Sequence, residues 1–73
     1  MNQINPRKLL QSKWTAVAPR NKEKHFLVTE VRYDPEGVPI TCIVEAVHSH
    51  RETELDWREL KDSTQWRVGW QTG

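Results

Sequence analysis

The sequence predicts an α+β domain that is mostly β: a small antiparallel sheet of three to four strands in a meander, with short helical turns at both ends. Two runs of period-two alternation, Phe26 to Tyr33 and Val38 to His48, supply its centre. Between them Asp34-Pro35-Glu36-Gly37 is a strong reversal, because Pro presets a turn position and Gly accepts positive φ. Capping patterns at Asn5-Pro6 and at Asp56-Trp57-Arg58-Glu59 then bracket the strands with single helical turns.

In chain order, Asn5 is a good N-cap and Pro6 suits the first helical position, with Leu9 and Leu10 placed to pin the turn. Lys13 to Val17 reads as a strand, because Trp14, Thr15 and Val17 favour extended backbone. Pro19 is expected to end it, and the polar run Arg20 to His25 to form a loop. In the strand Phe26 to Tyr33, Leu27, Val31 and Tyr33 are expected on one face, with Phe26 and Val28 on the other. From Val38 to His48, Val38, Ile40, Cys42, Val44 and Ala46 share one face, while Thr41, Ile43, Glu45 and Val47 share the other. That second face is half apolar, as in a central strand or a small closed barrel.

His48-Ser49-His50-Arg51 is the next turn, after which Arg51 to Leu55 resumes alternation with Thr53 and Leu55 inward. The capping pattern at Asp56 and Glu59 starts a helical turn over Trp57 to Lys61, and Asp62-Ser63-Thr64 breaks it. Trp66 and Trp70, four apart, would share a face of a further helical turn. A short final strand Trp66 to Trp70 is the alternative, since Gly69 disfavours helix. An SH3-like small barrel, with Trp57 to Lys61 preceding a last short strand, is the competing architecture. The open sheet is preferred because the C-terminal segment has weak strand propensity.

The chain has 73 residues, so residues 1–73 form a single small domain. A chain of this size buries only roughly 60% of the surface it exposes when unfolded. Cys42 is the one cysteine, which excludes an intramolecular disulfide and the paired-cysteine zinc patterns. Hydrophobic packing must therefore carry the fold, and the four tryptophans Trp14, Trp57, Trp66 and Trp70 are the richest source of it. One such ring buries about 150–250 Å², so at least two of them are expected in the core. No stretch approaches the ~20 apolar residues of a membrane helix. Met1 to Leu10 lacks the apolar segment of a signal peptide, so the expected location is cytoplasmic.

Little in the sequence points to catalysis. His48 and His50 fall on one side of an extended strand, but two histidines in a polar turn need further ligands to make a metal site. Cys42 sits mid-strand on the apolar parity, where a free thiol behaves as a small hydrophobe. Glu45, Glu52, Glu54, Asp56 and Glu59 have the spacing of a solvated face. No glycine-rich phosphate loop is present, as only Gly37, Gly69 and Gly73 occur. Neither enzyme activity nor a cofactor is expected.

Charge is more informative. The net charge is +1, yet Arg7, Lys8, Lys13, Arg20, Lys22 and Lys24 stand against Glu23 alone in residues 1–25, while residues 26–62 hold nine acids against four cations. Such asymmetry marks either a basic surface for nucleic acid or two halves that face each other. The leading expectation is a non-enzymatic interaction module, binding a protein partner or a second copy through Trp14 or Trp57 and nearby charges. The alternative is single-stranded nucleic acid or RNA, bound by Lys13, Arg20, Lys22 and Lys24 around Trp14.

One further pattern runs the length of the chain. It comprises Asn5-Pro6-Arg7-Lys8-Leu9-Leu10, Ser12-Lys13-Trp14-Thr15-Ala16-Val17, Asn21-Lys22-Glu23-Lys24-His25-Phe26, and Asp56-Trp57-Arg58-Glu59-Leu60-Lys61-Asp62 with Trp66 and Gly69-Trp70. It resembles a family of short tryptophan-rich bacterial proteins of unknown function. The resemblance implies a bacterial, cytoplasmic setting and a domain that stands alone; it brings no activity, ligand or catalytic residue.

Overall fold

A computed structural model describes residues 2–71 and contains five strands and two 3-10 turns. The strands are β1 (Lys13–Arg20), β2 (Glu23–Tyr33), β3 (Pro39–Ala46), β4 (Glu52–Asp56) and β5 (Trp66–Val68). They form one antiparallel sheet in the order β4-β3-β2-β1-β5. The domain is thus mostly β, as expected, with five strands where three to four were anticipated. The 3-10 turn Trp57–Lys61 does precede a short last strand, as in the barrel alternative. The sheet does not close, however: β4 and β5 occupy its opposite edges.

Both capping patterns form. The Asn5 side chain accepts the Arg7 amide at 3.0 Å and opens the turn Pro6–Lys8. At Trp57–Lys61, Asp56 Oδ1 accepts the Arg58 amide at 2.9 Å while Glu59 Oε2 accepts the Asp56 amide at 3.0 Å. The reversal after β2 also forms, with Gly37 at φ 84° and its amide donating to the Asp34 carbonyl at 2.9 Å.

The expected loop Arg20 to His25 is a tight hairpin instead. Arg20 pairs with Glu23, and Asn21 and Lys22 between them take φ of 54° and 62°. Positive φ at both central positions is the geometry that matches the twist of two antiparallel strands. Pro19 does not end β1, because β5 pairs only with Trp14 to Ala16 and the register to β2 is interrupted between Thr15 and Arg20. A residue without an amide proton fits such a bulged, edge-like stretch.

Two further irregularities correct the expected faces. Val28 pairs with Val44 but Glu30 pairs with Ile43, so Thr29 is an extra residue in β2. A bulge of one residue flips the parity beyond it. Val31 therefore shares the core side with Phe26 and Val28, and not with Leu27. A second shift, between Arg32↔Thr41 and Tyr33↔Pro39, leaves Ile40 outside the pairing. Val38 and Ile40, expected on the core face, are 52% and 49% exposed.

The core lies on one side of the sheet, under the 3-10 turn Trp57–Lys61. Leu9, Trp14, Val28, Cys42, Val44, Trp57 and Leu60 are buried there, with Ile4, Phe26, Val31, Leu55 and Trp66 packed around them. Phe26 and Trp66 meet edge to face with centroids 5.1 Å apart, the geometry their ring quadrupoles favour. Among the described residues no helix is long and apolar enough to cross a membrane.

Candidate functional site

The four indoles divide by environment. Trp14 and Trp57 are 2% and 8% exposed, and their Nε1 atoms donate to Ser12 Oγ and the Pro39 carbonyl. Neither ring offers the contact surface assigned to it from sequence, because the core takes both. Trp66 is half-buried against Phe26. Trp70 is 42% exposed and lies over the opposite side of the sheet from the core.

Thr15 explains that placement. Its side chain points away from the core yet is buried, because Oγ1 donates to the Gly69 carbonyl at 2.7 Å and accepts the Gln71 amide at 2.8 Å. Gly69 takes φ 77°, so the chain turns back over the sheet after β5. Trp70 then stacks on His25 with centroids 5.9 Å apart, and its Nε1 donates to the Phe26 carbonyl at 3.0 Å. His25 Nε2 lies 2.9 Å from the Gln71 carbonyl. Lys13 Nζ sits 4.7 Å from the Trp70 ring, within cation–π range.

Further cations lie on the strands beside β1. Arg67 is opposite Thr15 in the pairing of β1 with β5, and His25 is opposite Thr15 in the pairing of β1 with β2. Lys24 and Arg67 thus flank β1 from its two neighbours. Among the described residues none of Lys13, Arg20, Lys22, Lys24 and Arg67 takes part in an ion pair. The structure brings Lys13 to Trp70 and puts Lys24 at a cleft beside Gln71. It places Lys22 at the apex of the β1–β2 turn, and Arg20 beside a separate cleft lined by Ala18, Gln65 and Trp66. Arg67, Gln71 and Trp70 were missed as site residues. The signal was Gly69, which reads better as a reversal after a strand than as a blemish in a helix.

Three acids of residues 26–62 lie at the far edge of the sheet. Glu52, Glu54 and Asp56 belong to the edge strand β4. There Arg32 bonds Glu54 at 2.8 Å and Arg58 bonds Asp56 at 2.9 Å. The Arg58 hydrogen bonds hold the Asp56 carboxyl below its ordinary range. The two charge-segregated halves therefore lie side by side across the sheet. The one acid of residues 1–25, Glu23, is 5% exposed; it accepts from Ser49 Oγ and Arg51 and ties the β1–β2 hairpin to the turn before β4. The Ser49 hydrogen bond, with help from Arg51, lowers the pKa of Glu23.

The remaining chemical candidates have structural occupations. Cys42 is fully buried, and burial followed by the charges of Asp56 and Glu59 pushes its thiol up to about 11. His50 Nδ1 lies 2.7 Å from Glu45 Oε2. Among the described residues no three His, Cys, Asp or Glu side chains converge as metal ligands.

With the geometry of the four rings established, one comparison is decisive: residues 12–71 match the family model described as tryptophan-rich protein, DUF2389. The chain belongs to this tryptophan-rich family. The matched segment of the DUF2389 protein holds all five strands and all four tryptophans, and leaves the N-terminal 3-10 turn outside. No curated protein and no solved structure matches the chain.

Proposed function

We propose that this DUF2389 protein is a non-enzymatic binding module and that the β1–β5 side of its sheet holds single-stranded nucleic acid. The observation that supports this reading is the exposed Trp70 ring with Lys13 against it, beside a cleft lined by Lys24 and Arg67, none of the three cations in an ion pair among the described residues. Proteins that hold single strands combine a cationic track for phosphates with aromatic rings on which bases stack. A nearly neutral chain supports such a track when acids are kept elsewhere, and here Glu52, Glu54 and Asp56 lie on the far edge strand β4. A cytoplasmic, bacterial setting accompanies the reading. The test is fluorescence anisotropy of a labelled single-stranded oligonucleotide. Three phosphate contacts predict a log-log salt slope of about −2. Absence of binding at low salt, or binding indifferent to salt, overturns the proposal.

A second reading is favoured by a different observation. Tyr33, Val38 and Ile40 are 53%, 52% and 49% exposed at the far end of the β2–β3 hairpin. A protein partner or a homodimer would use that end of the molecule, and neither Trp14 nor Trp57. Sedimentation over a hundredfold concentration range, with Ile40→Glu as control, separates a monomer from a dimer that closes there.

A further inference from the structure

We infer that the cleft beside the bulge of β1 is a one-nucleotide subsite, taking a phosphate at Arg67 and a base on its apolar floor. The inference rests on the nucleic-acid reading of the same side and gives it a location and a size. The cleft exists because β1 leaves its register with β2 between Thr15 and Arg20. That excursion opens a volume of about 250 Å³ lined by Thr15, Ala16, Val17, Pro19, Lys24, Arg67 and Gln71. The space is below the ~300 Å³ at which pockets begin to hold drug-sized ligands, so it suits a single nucleotide unit.

The lining separates by chemistry. Ala16, Val17 and Pro19 supply an apolar surface, and Val17 is 39% exposed in a strand where a polar residue would otherwise be expected. Arg67 shares the face of Thr15 and His25, with which it lies in register, and Lys24 lines the cleft from β2. Arg presents a planar fork matched to phosphate oxygens and Lys a point charge. Gln71 also lines the cleft; its Nε2 donates to the Val68 carbonyl at 2.9 Å, which leaves Oε1 to accept from a base edge. The residue before it is Trp70, so a strand leaving the cleft passes directly onto the exposed indole beside Lys13. The track thus consists of a cleft for one nucleotide and a ring for its neighbour.

The test follows the Val17 methyl and Arg67 side-chain NMR signals during titration with uridine monophosphate, with inorganic phosphate, and with a short single-stranded oligonucleotide. The expected result is that the mononucleotide shifts both Val17 and Arg67, whereas phosphate shifts Arg67 alone. Arg67→Ala, at an exposed position, should weaken the mononucleotide about tenfold, the share of one charge-assisted hydrogen bond. Equal responses to phosphate and mononucleotide would reduce the cleft to a simple anion site and overturn the inference. It also falls if the oligonucleotide perturbs Lys13 and Trp70 but not Val17, and the proposed function then stands. An oligonucleotide that perturbs nothing removes both.

Discussion

Trp57 and Trp70 are bound almost identically and used in opposite ways. Each indole N–H donates to a strand carbonyl at 3.0 Å, Trp57 to Pro39 and Trp70 to Phe26. Each ring carries a lysine, with Nζ of Lys61 at 4.8 Å from one and Nζ of Lys13 at 4.7 Å from the other. Yet Trp57 is 8% exposed and Trp70 42%. The difference is what lies beneath. Trp57 belongs to the buried cluster of Leu60, Cys42 and Val44, whereas Trp70 lies against the His25 ring. Polar contacts hold an indole in place in both regions; only apolar burial decides whether it stabilises the fold or serves the surface.

Substitutions should expose that asymmetry. Trp57→Ala is expected to cost about 3–5 kcal/mol, the usual loss for an emptied aromatic site. In a domain of this size that approaches the whole stability, so Trp57→Phe gives a milder version readable by urea denaturation. Equal losses at Trp57 and Trp70 would break the comparison. Next in size is the acid response. The folded pKa of Glu23 is lowered by Ser49 and Arg51, so its contribution is complete above the ordinary carboxylate value of 4.5 and is lost as pH falls below it. Urea midpoints measured against pH should fall on the acid side, and Glu23→Gln should flatten that fall. A variant with an unchanged acid slope would remove the latch from the account.

Trp70→Ala should cost no more than about 1 kcal/mol, the scale of an exposed cation–π contact, while abolishing oligonucleotide binding. The smallest signal is expected from Cys42. With its thiol near 11 and no exposure, the native protein should resist a thiol reagent at neutral pH and react only when unfolded. Rapid native labelling would show that the sheet opens locally at β3.

Much of the fold is legible where local rules act alone. The caps at Asn5 and Asp56 and the reversal at Gly37 each follow from a few adjacent residues, and each forms as read. The tryptophan-rich family is likewise visible from spaced residues along the chain. The faces of β2 and β3 are not, because the extra residues Thr29 and Ile40 reset parity and nothing in either residue type announces a bulge. Pro19 misleads in the same way: a residue that breaks central strands is tolerated where β1 has left its partners. The site was half visible. Lys13 and Lys24 stand out as charges, but the aromatic neighbour of Lys13 lies more than forty residues away in sequence, and only the return of the chain at Gly69 brings Trp70 to Lys13 and His25.

The earliest and latest segments of the chain are stitched together. The Asn2 amide donates to the Lys61 carbonyl at 2.8 Å, and its side chain donates to the carbonyls of Leu60 at 2.9 Å and Trp66 at 2.7 Å. β1 completes its pairing only with β5. On a ribosome, where chains emerge from their amino ends, this topology forbids a native sheet until Val68 has left the exit tunnel. Until then Lys13 to Arg20 waits with one flank open, and the half-built domain presents a strand edge to whatever is nearby.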